Sequence, residues 1–274
     1  MIPCRFSISF GKPLENRLSV DLQPRQRNVL RQFYTTGAAP CPYLDGRTER
    51  RVYTLLRRHP QERETFDRLS EAGFRRSQNL MYRPACPGCD ACIPVRIPVD
   101  RFVPSRNERK VLHRNADLTV QEVPAVPSTE HWQLFRRYLS ARHGDGGMAN
   151  MTRVDFETMV GDWAVATVLL EGRDPSGRLL AVSLTDRLSS GLSGVYKFYE
   201  PDEPRRSLGT WTILQLIERA RAQGLSHVYL GYWIAGSDKM DYKARFRPME
   251  QLTPEGWVDL PEPAAEPPAD VPAG

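Results

Sequence analysis

Apolar residues in the second half of the chain follow two different periods. Over residues 128–144 and 205–224 they recur every three or four positions, which predicts two helices with one apolar face each. Between these stretches, three β-rich runs are separated by turns of Gly, Asp and Ser, which predicts an antiparallel meander. The apolar positions that carry the helical prediction are Trp132, Phe135 and Leu139 in the first helix and Ile213, Ile217 and Ala220 in the second.

Two further elements complete the order of this half. Thr152, followed three residues later by Asp155, resembles a capping box with Asp in place of Glu and predicts another helix start. The run "HVYLGYWI" (227–234) follows the helix that Gly224 ends, and it predicts a strand. The order helix, helix, three strands, helix, strand predicts an α+β (α/β-like) sheet domain.

The first half of the chain is irregular and rich in proline. One helix is predicted from Pro60 to Ala72, because proline suits a first helical turn and Gly73 suits the position after the last one. The run "CIPVRIPV" (92–99) predicts a strand interrupted by prolines, and we expect it at the edge of a sheet.

A Pro-broken stretch, 123–128, divides the chain. We expect a smaller, irregular, cysteine-bearing domain over 1–125 and the sheet domain over 126–250. The remaining residues, 251–274, are acidic and rich in Pro and Ala. They are predicted to be disordered because such a composition cannot bury a core.

The composition is that of an ordinary folded protein, with 274 residues of which 40% are hydrophobic and 26% charged. No apolar run is long enough to span a bilayer, and the first residues, "MIPCRFSISFGKP", lack the features of a signal peptide. These observations predict a cytoplasmic protein without membrane contact. Five cysteines, an odd and low number, are then not expected to form a disulfide framework.

Charge is unevenly distributed along the chain. The formal net charge is +5 at pH 7, but residues 251–274 hold five acidic residues and no Lys or Arg. Residues 1–250 therefore carry the other 28 acidic residues against all 38 basic ones, a formal charge of +10. A surplus of this size favours a polyanionic partner such as nucleic acid, although a solvated Arg-rich surface explains the same charge.

The stretch "RRSLGT" (205–210) begins the second predicted helix. A helix N-terminus attracts phosphate or carboxylate through its free N–H groups and dipole, and Arg206 and Gly209 suit such a role. The stretch is similar to the phosphate-binding loop of GNAT-type acyltransferases, except that Thr210 stands in place of the second glycine. An ordinary helix start explains the same residues without a ligand.

The stretch 229–248 combines aromatic and basic residues. A predicted strand ends in Tyr232 and Trp233, and a basic segment follows it. Cations neutralise phosphates and aromatic rings stack on bases, so this composition suits one end of a nucleic acid. A core strand followed by a solvated basic helix is the alternative. The basic residues of this segment are Lys239, Lys243, Arg245 and Arg247.

The run "CPGCDAC" (86–92) places three cysteines at intervals of three. Thiolates prefer zinc or an iron–sulfur cluster, so the run predicts a structural metal site, with the absence of any metal as the alternative. A ferredoxin-type run would need a fourth cysteine where Arg96 stands; Cys41 is the best substitute, followed by Cys4 and His59. The candidate ligands are Cys41, Cys86, Cys89 and Cys92.

Several stretches together resemble the aminoacyl-tRNA–protein transferase family, and most closely its bacterial aspartate/glutamate leucyltransferase branch. The similar stretches occur in the family's order and span most of residues 30–250. They are "CPYLDGR" (41–47), "YRPACPGCDACIPVRIPV" (82–99), "FVPSRNERK" (102–110), "GVYKFYEPDEPRRSLG" (194–209) and "YLGYWIAGSDKMDYKARFRPME" (229–250).

This resemblance implies a GNAT-like C-terminal domain joined to a cysteine-bearing N-terminal domain. It implies transfer of leucine from leucyl-tRNA to proteins that begin with Asp or Glu, which marks them for degradation by the N-degron (N-end rule) route. Eukaryotic relatives, which transfer arginine, carry a second cysteine three residues after the first. Leu44 stands there in this chain, which favours the leucyl branch.

The implied reaction joins an activated ester to an α-amine, so alignment of the two is expected to contribute most of the catalysis. Tyr242 or Lys243 is the predicted donor to the oxyanion or relay of the proton, and Asp186 is predicted to orient the amine, with an ordinary turn residue as the alternative. No cofactor is required. The candidates for binding the acidic side chain of the acceptor are Arg83, Arg106 and Arg247, because arginine matches a carboxylate. Trp233 is predicted to line the leucine pocket.

Three other functions remain open from the residues alone. Arginyl transfer would use the same chemistry. A coenzyme A-dependent N-acetyltransferase would act without tRNA, although the missing second glycine disfavours it. A zinc-stabilised RNA-binding protein would bind charged and uncharged tRNA equally.

Overall fold

The computed structural model describes residues 31–59, 61–142, 150–161 and 164–261. Pro60, Gly144 and the acidic residues beyond 261, which were part of the expectations above, lie outside these ranges. In the described part of the chain the α-helices are α1 (Glu62–Glu71), α2 (Arg106–Arg114), α3 (Thr129–Arg142), α4 (Arg153–Gly161) and α5 (Leu208–Ala222).

The strands of the first half are short, and those of the second half are longer. Two 3₁₀ helices, Pro204–Arg206 and Asp241–Arg245, flank α5 and the strand after it. The strands are β1 (Tyr34–Thr35), β2 (Ala39–Pro40), β3 (Thr48–Glu49), β4 (Arg51–Leu55), β5 (Arg75–Ser77), β6 (Leu80–Pro84), β7 (Ile93–Pro98), β8 (Thr119–Pro124), β9 (Thr167–Arg173), β10 (Leu179–Arg187), β11 (Gly191–Tyr199), β12 (His227–Trp233), β13 (Glu250–Thr253) and β14 (Gly256–Asp259).

The main sheet has eight strands in the order β14-β13-β7-β12-β11-β10-β9-β8. Strands β9, β10 and β11 form the antiparallel meander that the turn residues predict. A smaller sheet, β1-β4-β6-β5, packs beside it. The α+β fold class is confirmed, and so is the predicted order of elements after residue 126.

Helices cover both faces of the main sheet. On one face, Ile217 of α5 is fully buried against β-strand residues such as Ile97 and Val228. On the other face, Phe135 of α3 and Phe156 of α4 pack together, with ring centroids 4.9 Å apart. The helical periods of the sequence therefore identified the buried faces correctly.

The start of α4 and the end of α1 both follow their sequence signals. Thr152 and Asp155 form a reciprocal capping pair, in which each backbone N–H donates to the other side chain. Helix α1 ends at Glu71, and Gly73 takes the positive φ of +80° that favours glycine after a helix.

The predicted boundary at residue 125 does not separate two sheets. Strands β7 and β8 precede it, yet both belong to the main sheet. Strand β7 was expected at an edge, but it lies in the interior between β12 and β13. Only Val95 and Arg96 of β7 pair with β13, and both lie between Pro94 and Pro98. The prolines, which lack a backbone N–H, therefore do not prevent β7 from lying inside the sheet.

Residues 250–259 are also ordered, contrary to the prediction for the tail. They form the hairpin β13–β14, which extends the main sheet. Trp257 explains why, because its indole donates to the main-chain carbonyl of Glu71 at 3.0 Å and lies under the guanidinium of Arg96 at 4.3 Å. None of the helices in the described ranges is long and apolar enough to cross a membrane.

Candidate active site

The main sheet splits between β11 and β12. These two strands are parallel, but they pair only where Gly191–Ser193 meet His227–Tyr229. Beyond these residues the strands diverge, and their facing main-chain groups need other partners because an unpaired buried carbonyl is costly.

Arg75, from β5 of the smaller sheet, supplies those partners. Its guanidinium donates to the carbonyl of Leu230 on one strand at 2.8 Å and to that of Gly194 on the other at 3.1 Å. The side chain is almost completely buried. The guanidinium of Arg75, from the smaller sheet, therefore bridges β11 and β12 where they diverge.

The next residue, Arg76, fastens the same sheet to β10. Its Nε donates to Asp186 at 2.5 Å and a second guanidinium nitrogen donates at 2.7 Å, while Thr167 donates to the same carboxylate at 2.8 Å. Asp186 is fully buried and does not line the cleft described below. The prediction that Asp186 orients the acceptor amine does not match this position.

A cleft of about 530 Å³ opens at the split. Residues from both halves of the chain line it, since Tyr43 comes from the segment before β3. One part of its lining, here named the apolar wall, consists of Leu208, Ile213, Leu216, Leu230 and Met240.

The charged residues of the cleft are mostly basic. Lys197 donates to the carbonyl of Gly209 at 2.9 Å and lies 4.7 Å from the ring centre of Tyr242. Glu200 is buried, but Arg137 at 2.9 Å and Arg178 at 3.4 Å neutralise it. The cations that make no hydrogen bond or ion pair within the described residues are Arg142, Lys239 and Arg245.

Tyrosine hydroxyls form another part of the lining. Tyr138 of α3 and Tyr199 of β11 pack edge to face, with centroids 4.9 Å apart. Burial raises the pKa of the hydroxyls of Tyr138, Tyr196 and Tyr199, so these groups remain protonated donors at neutral pH. The hydroxyl of Tyr196 is covered and has no hydrogen-bond partner in the described part of the chain.

Three of the predicted site residues line this cleft, namely Gly209, Lys239 and Tyr242. Lys243 does not, although it is the neighbour of Tyr242. Its side chain is fully buried, and its amine donates to the carbonyl of Tyr232 and contacts the sulfur of Met240 at 3.3 Å. Burial lowers the pKa of this amine well below its usual value, with Arg75 adding to the effect.

The other predicted binding residues lie outside the lining. Arg206 is paired with Asp117 at 2.8 Å. Arg247 is held by the main-chain carbonyls of Ala244, Leu260 and Pro261. Arg83 and Arg106 are exposed elsewhere, and Trp233 packs against the core with its indole N–H unpartnered in the described residues.

The four candidate metal ligands lie near one another. Burial raises the pKa of Cys92 to about 12, and the thiols of Cys86, Cys41 and Cys89 each add to the rise. In this arrangement, however, no three His, Cys, Asp or Glu side chains of the described ranges stand together as an ion would require. The geometry does not support a metal centre, and the metal remains a prediction.

Sequence reasoning missed several cleft residues, including Tyr43, Tyr138, Arg142, Tyr196 and Lys197. Tyr138 and Arg142 lie four residues apart on α3, a spacing that places both on one face. Their meeting with β11 depends on tertiary packing, which the local pattern does not report.

Comparison with known proteins gives consistent matches. The profile described as "Arginine-tRNA-protein transferase, N terminus" matches residues 39–110, and the one for the C terminus matches residues 130–253. An aspartate/glutamate leucyltransferase of Parvibaculum lavamentivorans is 55% identical over 234 residues, covering 85% of this chain and 96% of that protein. Its counterpart in Methylobacterium nodulans is 53% identical over 237 residues, covering 83% and 95%.

Solved structures show weaker similarity. L-PGS from Bacillus licheniformis has a TM-score of 0.41 at 12% identity, covering 57% of this chain and 52% of that one. A fungal GCN5-related glucosamine N-acetyltransferase region has a TM-score of 0.37 at 9% identity, covering 75% and 23%. On the strength of the profiles and the relatives, this chain belongs to the aminoacyl-tRNA–protein transferase family, within its bacterial aspartate/glutamate leucyltransferase branch.

Proposed function

We propose that the protein transfers leucine from leucyl-tRNA to the α-amine of proteins that begin with Asp or Glu. Relatives with 50–55% identity are named aspartate/glutamate leucyltransferase. The structural observation that supports it most is the composition of the cleft. One cavity combines an apolar wall, protonated hydroxyl donors and unpaired cations.

The apolar wall suits the transferred leucine. Burying a leucine side chain contributes about 1.5–3 kcal/mol, which makes an apolar surface a sufficient recognition element. Leu216, Leu230 and Ile213 provide such a surface. The two carboxylates among the described residues of the lining, Glu200 and Glu203, already face arginines of the protein, which leaves no carboxylate of this lining without a cation for an arginyl group to pair with. This composition favours leucine over arginine as the transferred residue.

The exposed cations suit the end of the tRNA. Lys239 and Arg245 lie on the segment after β12, within the cleft lining, and neither is engaged by a described residue. Each neutralised phosphate releases a counterion and makes binding salt-dependent. Tyr242, between them, offers an aromatic face in addition to its hydroxyl.

The chemistry needs little help from a base. The acceptor nitrogen attacks the ester carbon, the bond between that carbon and the ribose oxygen breaks, and one proton passes from the amine to the departing hydroxyl. An α-amine with a pKa of about 7.7–8.0 is roughly one tenth neutral at pH 7. Among the described residues that line the cleft, none is a histidine. Alignment, worth about 7–11 kcal/mol in ideal cases, is therefore the main contribution.

Tyr242 is the proposed donor to the oxyanion that forms during this attack, because it lies in the cleft. Lys243 takes a supporting role, since its amine is committed to the carbonyl of Tyr232. The ester is already activated, so the proposed reaction requires no cofactor. The resulting N-terminal leucine would mark the acceptor protein for degradation.

The test supplies a mixture of all charged tRNAs together with a reporter protein that begins with Asp or Glu. Mass spectrometry then identifies the residue added to the reporter. Added leucine supports the proposal, whereas added arginine would assign the other branch of the family. Acetylation in a parallel reaction with acetyl-coenzyme A, or equal binding of charged and uncharged tRNA without transfer, would contradict the proposal altogether.

A further inference from the structure

The cleft contains a further group of polar residues beside the apolar wall and the cations after β12. It consists of Tyr138 and Arg142 on α3 and Tyr196 and Tyr199 on β11, and is named here the Arg142 subsite. All four residues line the cleft. The helix places Tyr138 and Arg142 one turn apart, so both side chains extend from the same face.

The members of this subsite lie close enough to act on one another electrostatically. Burial is the main cause that raises the pKa of Tyr199, and the Arg142 guanidinium is the next influence, in the lowering direction. The same guanidinium opposes the rise at Tyr138, and the hydroxyls of Tyr138 and Tyr199 both act on Tyr196. One cation and three phenols therefore share this part of the cleft.

The donors of the subsite are only partly used by the protein. Arg142 makes no hydrogen bond or ion pair with any described residue. The Tyr196 hydroxyl is covered, and it is one of the few buried polar atoms in the described ranges without a partner. A buried donor without an acceptor is costly, which points to an oxygen ligand that completes it.

The two carboxylates that line the cleft in the described part of the chain are not free to be that acceptor. Glu200 is engaged by Arg137 and Arg178. Glu203 lies 3.5 Å from Arg206 and 3.7 Å from Arg178. The donors without a partner in the described residues include the planar guanidinium fork of Arg142 and the hydroxyl of Tyr196, a set that matches a carboxylate. The geometry points to the Arg142 subsite as the place where the side-chain carboxylate of the acceptor's first residue binds. This inference rests on the proposed function.

The arrangement favours a carboxylate over a tRNA phosphate. Tyr138 and Tyr196 are buried, so the subsite is walled by aromatic rings and admits a side chain more readily than a nucleotide chain. The exposed Lys239 and Arg245 already offer an open, charged surface for phosphates. The residues expected from sequence for this role, Arg83, Arg106 and Arg247, are outside the cleft or held by carbonyl groups.

The experiment compares peptides that differ only in the first residue, Asp against Asn and Glu against Gln, at saturating leucyl-tRNA. Each pair is nearly isosteric and differs by one charge. We expect Arg142→Ala to lower kcat/KM for the acidic peptides by roughly 10- to 100-fold, the range for a lost bond to a charged group, and to change the amide peptides by no more than about twofold. Arg142→Lys should recover part of the preference.

Two further variants make the result specific. Tyr196→Phe removes only the unpartnered hydroxyl and should reduce the Asp-to-Asn preference by about 3- to 10-fold. Arg245→Ala, a matched loss of one cleft cation, should raise the KM for leucyl-tRNA and, below saturation with leucyl-tRNA, lower transfer to both peptides alike. Thermal unfolding of each variant serves as the folding control; Arg142 is exposed, so its loss should leave the melting temperature near that of the wild type.

An equal loss for Asp and Asn peptides in Arg142→Ala, with a raised KM for leucyl-tRNA, would assign the subsite to a tRNA phosphate and overturn the inference. An Asp preference that survives in Arg142→Ala would also overturn it. A wild type that transfers no leucine to any peptide would refute the proposed function instead. Even then, calorimetry can measure binding of the Asp and Asn peptides without tRNA. Loss of the preference for the Asp peptide in Arg142→Ala would support the inference, and survival of that preference would overturn it.

Discussion

Arg75 occupies the space that a β-carbon on Gly231 would need. A β-carbon built there would lie 1.1 Å from Nη1 of Arg75, and the glycine has a φ of +76°. The guanidinium reaches this position to donate to the carbonyls of Leu230 and Gly194 across the split. The cleft therefore depends on a close approach between residues of two different sheets.

Gly231→Ala should be strongly destabilising. The substitution adds backbone strain of about 1–2 kcal/mol and displaces Arg75, which leaves buried carbonyl groups unpaired at about 1–3 kcal/mol each. We expect the free energy of unfolding to fall by roughly 3–5 kcal/mol in chemical denaturation. Gly177→Ala is the matched control, because Gly177 has a φ of +86° and open space around it. If both variants lose the same free energy of unfolding, the guanidinium of Arg75 does not lie against Gly231.

The buried pair of Arg76 and Asp186 should contribute to stability and not to catalysis. Arg76→Met and Asp186→Leu each leave one charge buried without its partner, at a cost of about 3–5 kcal/mol. The double variant removes both charges and should lose clearly less than the two single losses together. It should also retain leucyl transfer within a few-fold. Additive losses, or inactivity in a folded double variant, would restore Asp186 as a catalytic candidate.

Lys243 should make stability depend on pH. Burial holds the pKa of its amine well below 10.5, so between the lowered folded pKa and the ordinary lysine pKa the unfolded chain binds a proton that the folded protein does not. Stability therefore rises with pH up to the ordinary lysine pKa, by at most about 1.4 kcal/mol per pH unit from this group. Lys243→Met removes this contribution to the pH dependence. The free energy of unfolding of the variant minus that of the wild type should therefore be larger at pH 7 than at pH 9. If urea denaturation shows that the free energies of unfolding of the wild type and of Lys243→Met change equally with pH, the lowered pKa of this amine is contradicted.

Tyr242→Phe tests the proposed oxyanion donor. Loss of one such donor typically lowers kcat by about 10²–10³-fold, and we expect a fall at the lower end with little change in the affinity for leucyl-tRNA. Tyr53→Phe is the control, because Tyr53 stacks on Tyr34 outside the cleft. A rise in KM with unchanged kcat would assign Tyr242 to binding alone.

Local pattern was sufficient to predict the helices and strands of the second half. The burial of Ile213 and Ile217 on α5 follows from their spacing, and the capping pair of Thr152 and Asp155 follows from residue type. Both features depend on neighbours in the chain. Of the candidate site residues, Gly209, Lys239 and Tyr242 line the cleft.

The remaining features depend on contacts between distant residues. Arg75 and Leu230 are 155 residues apart, and Arg76 and Asp186 are 110 apart. A local pattern of apolar and polar residues cannot predict contacts over such separations. Strand β7 looks like an edge strand because of its prolines, yet its pairing with β12 places it inside the sheet. The same long-range packing brings Arg142 into the cleft that Tyr196 and Tyr199 line, and it leaves Arg83, Arg106 and Arg247 outside that lining.

Cross-linking with tRNA charged with photo-leucine, a diazirine analogue of leucine, tests most directly whether transfer occurs in the split of the sheet. Irradiation of the complex without an acceptor, followed by peptide mapping, should place the cross-links on Ile213, Leu216, Leu230 or Met240, and excess unlabelled leucyl-tRNA should suppress them. Cross-links on Trp233 or on the cysteine run, or a pattern that competitor leaves unchanged, would contradict a leucine pocket at the apolar wall.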